Sequence, residues 1–305
     1  MPTSNPRSKY GARAFDAGLK VQPRMFEKRV AQLDSLDQHF TKLWLDYAMT
    51  TMERPQLDLR TRLLILIGQY TMRQCYEALD DAVRAALAAK VKPQEVLEII
   101  LQCVVYGGFA IAEPAIRVFH GVAEELGLLA SLRKAQLPLD GNDSRRSLEE
   151  ERKTWHRDDA ADPRREALMQ RHGWLGVSRG MMLRPKHHLN TLAWRDALDP
   201  GYANLWETFT YQGMYSRGLI DDKTRLLCMV GDCVAVNEMT EGRSHMRGAL
   251  RAGASPREVM EVINQSAIFF GMPSMTKALK TFVEVVTEEG RLAEIGNPPQ
   301  REKER

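Results

Sequence analysis

The chain repeats itself. Asp58-Leu-Arg-Thr-Arg-Leu-Leu returns as Asp221-Asp-Lys-Thr-Arg-Leu-Leu, an offset of 163 residues. The same offset pairs Gly68 with Gly231, Arg84 with Arg247, Pro93 with Pro256 and Glu98 with Glu261. It goes on to pair Gln102 with Gln265, Gly108 with Gly271 and Gly127 with Gly290. With no gap, roughly 22 of about 71 positions agree, where one chance register would give a handful. Arg54 also meets Arg217. A chain built this way must fold as two copies of one unit, here placed at 25–127 and 188–290.

The unit reads as helix throughout. Phe26, Val30, Leu33 and Leu36 recur at three to four residues, followed by Phe40, Leu43, Trp44 and Tyr47. Asp58 is placed to cap a helix over 60–73 whose Leu63 to Ile67 is apolar on every side, the mark of a buried helix. An alanine-rich helix follows over 77–89. Pro93 opens the next at its first turn, and Glu113-Pro114 opens a last one that ends near Gly127. No sustained period-two segment and no hairpin signal appears. The expected fold class is all-α, two tandem helical domains related by internal duplication.

Three stretches fall outside the repeats. Residues 1–24 are polar and are expected as an N-terminal arm. Residues 128–187 form a linker, dense in both charge signs between Ser144 and Arg165 and expected as solvated helix or mobile chain, with 166–187 returning towards the fold through Trp174, Met181 and Met182. Residues 291–305 are expected as a disordered tail. A net charge of +3 without a basic stripe gives no reason to expect nucleic acid. No apolar run reaches the roughly 18 residues of a membrane span. Four cysteines are too few for a disulfide framework, so a reduced, cytoplasmic setting is expected.

The two copies differ where chemistry is concerned. Glu238, Glu241 and His245 lie at i, i+3 and i+7, on one face of a helix. Repeat one has Cys75, Ala78 and Ala82 at those positions. The fold therefore does not need the acidic–imidazole set, although an acidic residue four before a histidine is often only an ion pair. Repeat one is expected to be a scaffold half that supplies pocket walls through Tyr106 and Phe109.

The second repeat resembles the carboxymuconolactone decarboxylase family of the alkylhydroperoxidase D-like superfamily. The resemblance rests on Glu241-x3-His245, an alanine-rich helix into Gly253, Glu258 in the next helix, and Gln265-x5-Gly271-x-Pro273. It implies tandem alkylhydroperoxidase D-like helical domains that form a homo-oligomer, a trimer imitating a hexamer being favoured. The peroxidase branch has thiols where this chain has Glu238 and Glu241. Cys228 and Cys233, five apart, sit about 140° apart around a helix and cannot form that redox pair.

What remains is the branch that works through Glu and His with no metal and no organic cofactor. In this reading Glu241 orients His245 or raises its pKa, and His245 as imidazolium delivers a proton to the carbanion left by loss of carbon dioxide. One of Glu238 and Glu241 stays protonated as an acid. Arg217, Arg247 and Gln265 are the candidate substrate ligands, guanidinium being suited to gripping a carboxylate. All three recur in repeat one, as Arg54, Arg84 and Gln102, so a structural use fits the two arginines as well and is favoured for Gln265. The expected activity is a cofactor-independent lyase, isomerase or lactone hydrolase acting on a small carboxylated or lactone metabolite of aromatic breakdown. The alternatives are a thiol-dependent peroxidase and a non-catalytic oligomeric binding protein. His187-His188 lack further ligands at metal-binding spacing.

Overall fold

A computed structural model describes residues 5–137 and 147–296; the first four residues of the N-terminal arm, part of the linker and the end of the tail lie outside them. The helices in order are α1 (Pro6–Tyr10), α2 (Ala12–Val21), α3 (Phe26–Leu36), α4 (Gln38–Met52), α5 (Leu59–Met72), α6 (Tyr76–Ala88), α7 (Pro93–Gly107) and α8 (Phe109–Glu125). The connection carries α9 (Leu129–Lys134), α10 (Leu148–Arg152), α11 (Arg157–Ala160) and α12 (Arg165–His172). The second half is α13 (Trp174–Leu183), α14 (His188–Leu198), α15 (Pro200–Glu207), α16 (Asp222–Ala235), α17 (Met239–Arg251), α18 (Pro256–Phe270) and α19 (Met272–Glu288). No strand occurs among the described residues.

Helices α5 and α16 cross at the centre, in one core shared by both halves. Each starts on an aspartate cap, Asp58 accepting from the Thr61 N–H and Asp221 from the Thr224 N–H, both at 2.8 Å. Leu63 to Ile67 are fully buried, each side chain contributing about 1.5–3 kcal/mol. The crossing is close enough to require glycine on both sides. A Cβ at Gly68 would lie 2.3 Å from Asp232 Oδ1, and one at Gly231 2.8 Å from Ile65 Cγ2.

The repeated polar residues form a reciprocal seam. Glu261 on α18 pairs with Arg62 at 3.1 Å and with Arg54 at 2.7 Å, and Gln265 exchanges hydrogen bonds with the Arg62 side chain and carbonyl. In mirror fashion Glu98 on α7 pairs with Arg225 at 2.6 Å and Arg217 at 3.0 Å, while Gln102 accepts from Arg225. Each half thus supplies the buried carboxylate for the other half's arginines. A buried charge is tolerated only when paired in this way.

From residue 5 on, the expected N-terminal arm is instead ordered helix. Phe15 and Ala17 of α2 are buried with Phe26 and Leu45 in a cluster of their own, while Val21 joins the central core. The charged segment is also not simply solvated. Trp155, His156 and Asp159 are buried, and Asp159 accepts from the Lys186 N–H at 2.9 Å. Residues 174–183 do return to the fold, as a helix buried from Leu175 to Leu183.

Segments α2–α4 and α13–α15 correspond at an offset of 162. Gly11 and Gly173 cap α2 and α13 in the same positive-φ conformation. Gly18 and Gly180 each leave room for a ring, Phe26 and His188. Pro23 meets Pro185, Asp37 meets Asp199 and Trp44 meets Trp206. The offset becomes 163 by residue 217, so the second half holds one extra residue. It is absorbed by a π-helical turn, Thr208–Gly213, and a 3₁₀ turn, Met214–Ser216, where the first half keeps unbroken α4. A single inserted residue is the usual origin of such a turn.

Candidate active site

His245 lies on α17 and is 1% exposed. Its Nδ1 is 3.3 Å from the Leu183 carbonyl and its Nε2 is 2.9 Å from the Tyr106 hydroxyl. A carbonyl can only accept, so Nδ1 carries the hydrogen and Nε2 presents its lone pair to the Tyr106 O–H. The carbonyl reaches the ring because α13 passes close over α17 at Gly248, where a Cβ would be 2.7 Å from the Leu183 carbonyl oxygen. Burial, with the Arg184 guanidinium as the next cause, drives the His245 pKa down to about 3. The ring is neutral at ordinary pH. The imidazolium expected from sequence is not the resting form.

Glu241 does not orient His245. Its carboxylate pairs with Arg184 at the end of α13, and His187 stands 3.9 Å away. The Leu183 carbonyl has taken the orienting role, from a segment read as linker. Glu238 caps α17 by accepting from the Thr240 N–H at 2.9 Å, and hydrogen bonding from the Thr240 side chain first, then from the backbone, holds its carboxyl below the usual range. It is exposed and ionised, so it cannot be the protonated acid.

These groups border one cavity of about 300 Å³ between the halves. Helix α7 supplies Val105 and Tyr106, as expected of repeat one, whereas Phe109 is 63% exposed and takes no part. Glu238, Glu241, His245 and Arg184 line the second-half side. The π-helical turn contributes Tyr211, whose hydroxyl accepts from Arg184 at 3.2 Å, and Tyr215 comes just after it. Arg195, stacked 5.3 Å above Trp206, also faces the cavity and makes no ion pair among the described residues.

Asp232 completes the wall. It is fully buried, accepts from Gln102 Nε2 at 3.2 Å, and has its second oxygen without a partner. Burial raises its pKa to about 8, so at neutral pH most of it is uncharged acid.

The other expected substrate ligands lie elsewhere. Arg217 and Gln265 are consumed by the buried seam, which explains their duplication. Arg247 holds Glu288 at the end of α19 and Glu289 just beyond it, as Arg84 holds Glu125 in the first half. Arg184, Arg195, Tyr211, Tyr215 and Asp232 were missed. Pro23 opposite Pro185 could have extended the duplication to Arg184, and a carboxylate opposite Gln69 in the otherwise apolar stretch 226–235 marked Asp232.

Cys103, Cys228 and Cys233 are buried, and burial pushes each thiol well above its ordinary pKa. His188 pairs with buried Glu207 at 2.9 Å. Among the described residues no helix is long and apolar enough to cross a membrane.

A family model, carboxymuconolactone decarboxylase, matches residues 38–120 and 200–284, once in each half. An uncharacterised 15.0 kDa protein from Paracoccus denitrificans is 40% identical over 77 residues, 25% of this chain and 58% of that protein. The chain thus spans little over half the length of that relative. A crystal structure from Burkholderia xenovorans LB400, provisionally described as a gamma-carboxymuconolactone decarboxylase subunit, superposes with a TM-score of 0.55 at 19% identity, covering 97% of this chain and all of the other. That likeness concerns the fold. The twofold match of the family model, covering more than half the residues, is what identifies the chain as a member of the carboxymuconolactone decarboxylase family.

Proposed function

We propose that the protein is an acid–base enzyme working without metal or organic cofactor on a small carboxylated or lactone metabolite, of the kind produced in aromatic breakdown. The observation carrying this reading is the Tyr106–His245 hydrogen bond of 2.9 Å, set in a cavity that also holds an Arg184–Glu241 pair and a neutral carboxyl. Arg195 receives the substrate carboxylate. A proton next to the substrate carbonyl passes to Tyr106 Oη as the tyrosyl proton passes to His245 Nε2, leaving an enolate. The return of that proton at another carbon gives an isomerised product. In a decarboxylation the carbon–carbon bond breaks, carbon dioxide leaves, and the carbanion takes its proton from the Asp232 carboxyl, which solvent later restores.

The test is a panel of lactones and aromatic acids assayed with wild type, His245→Ala, Tyr106→Phe and Asp232→Asn. General acid–base residues are worth roughly 10²–10⁴-fold in rate. Losses of that size in the first two variants are expected, and unchanged turnover in His245→Ala sinks the assignment. Loss in Asp232→Asn singles out the decarboxylating course.

Self-association belongs to the same proposal. Leu36, Phe40, Leu43 and Tyr47 are exposed along the start of the first half, and Leu198, Tyr202, Leu205 and Phe209 repeat the same spacing in the second. Two matching apolar stripes suit contact between copies of the chain.

A further inference from the structure

The duplication gives the catalytic cavity a counterpart in the first half, and that counterpart is also hollow. A cavity of about 780 Å³ lies against α3–α6 and the end of α18. Its walls occupy the registers of the other site but differ in kind. Gln22 stands where Arg184 does, Leu33 for Arg195, Ala78 for Glu241, Cys75 for Glu238 and Phe269 for Tyr106. Four of the five replacements carry no ionisable group at all, and the fifth is the Cys75 thiol. The two arginines that reach this cavity are otherwise engaged. Arg29 faces Glu77 at 3.9 Å, and Arg73 donates to the Ala235 carbonyl at 3.1 Å with its guanidinium over the Phe270 ring.

Two features point to a ligand. Tyr70 meets Phe269 and Phe270 edge-on at 5.7 and 6.1 Å, so with Trp44 four aromatic rings border the space. Gln22, at the C-terminal end of α2, is only 6% exposed and faces the same cavity, with its Oε1 unpartnered. A buried carbonyl oxygen without a donor costs about 1–3 kcal/mol, which a ligand hydroxyl would relieve.

We propose that this first-half cavity is a second, non-catalytic binding site for an uncharged mono- or bicyclic aromatic molecule carrying a hydroxyl. The rings stack or meet edge-to-face with Tyr70, Phe269 and Phe270, and the ligand hydroxyl donates to Gln22 Oε1. The site stands on its own geometry and does not depend on the reaction assigned to the other cavity.

Cys75 provides the readout, because it borders the cavity and is exposed while the other three cysteines are buried. Alkylation by N-ethylmaleimide is followed with 2-naphthol, naphthalene or 2-naphthoate as the probe, in wild type and in His245→Ala. Saturable protection of Cys75 by 2-naphthol is expected in both proteins. Gln22→Leu should weaken 2-naphthol about tenfold, the equivalent of one hydrogen bond, and leave naphthalene unchanged. Ala78→Trp should abolish protection by filling the space. Continued inertness of Cys103, Cys228 and Cys233 reports that each variant is folded. No saturable protection, protection indifferent to Gln22→Leu, or tighter protection by 2-naphthoate than by 2-naphthol would each overturn the proposal.

Discussion

At the level of single residues, two buried titratable groups set opposite slopes of stability with pH. His245 titrates near 3 in the folded chain against an ordinary 6.5. Below pH 6.5 the unfolded state takes up a proton that the folded state refuses. Stability is therefore full above 6.5 and falls as pH drops towards 3, by a few kcal/mol on the order of 1.4 per unit. Asp232 does the reverse. Its folded carboxyl keeps a proton up to about pH 8 while the unfolded one loses it near 3.8. It contributes a loss of stability as pH rises through that window. Urea denaturation across pH should show Asp232→Asn removing the loss that accrues between pH 3.8 and about 8, and His245→Gln removing the loss that accrues from pH 6.5 down to about 3. Catalysis makes a separate claim: kcat/KM should show no histidine titration near 6.5, since the ring is neutral on both sides of that value. A clear step there would remove the neutral-base assignment.

At the level of elements, the π-helical turn is what distinguishes the two halves. Its Tyr211 and the following Tyr215 correspond to Met49 and Met52 of the first half, which are apolar and packed. Deleting one residue from Thr208–Gly213 rotates the helical segments on its two sides by about 100° relative to each other. We expect such a deletion to retain helical circular dichroism and to lose activity by at least tenfold, because Arg184 then lacks its tyrosine partner. Gly248→Ala should act similarly, by pushing the Leu183 carbonyl away from His245. The helices themselves were legible in the sequence, because periodicity, the Asp58 and Asp221 caps and the glycine pair at 68 and 231 are local signals. So was the position of His245, through its absence from the first copy. Its partners were not. Glu241 reads as the neighbour of His245 along the helix, but the electrostatics of the Arg184 guanidinium outweigh that adjacency. Arg184 in turn sits beyond the one-residue insertion that ended the ungapped alignment.

At the level of the whole molecule, the proposed self-association through the matching apolar stripes has a direct test. Size-exclusion chromatography with light scattering should give a multiple of the 34.7 kDa chain mass. Leu43→Glu together with Leu205→Glu should reduce it to a single copy; a monomer already in wild type would count against the stripes. Within one chain, the seam has a consequence for how the halves depend on each other. Neither half can bury its own arginines against its own glutamate, since Glu98 answers Arg225 and Glu261 answers Arg62. A half expressed by itself would carry uncompensated charge into its interior and is expected to stay unfolded. Two separately produced halves, mixed, should find one another and recover the fold, behaving as an obligate heterodimer. The peptide connection then serves chiefly to raise the local concentration of one partner around the other. The polypeptide is, in this sense, a dimer that has been tied together, with one of its two equivalent sites free to lose charge while the other kept it.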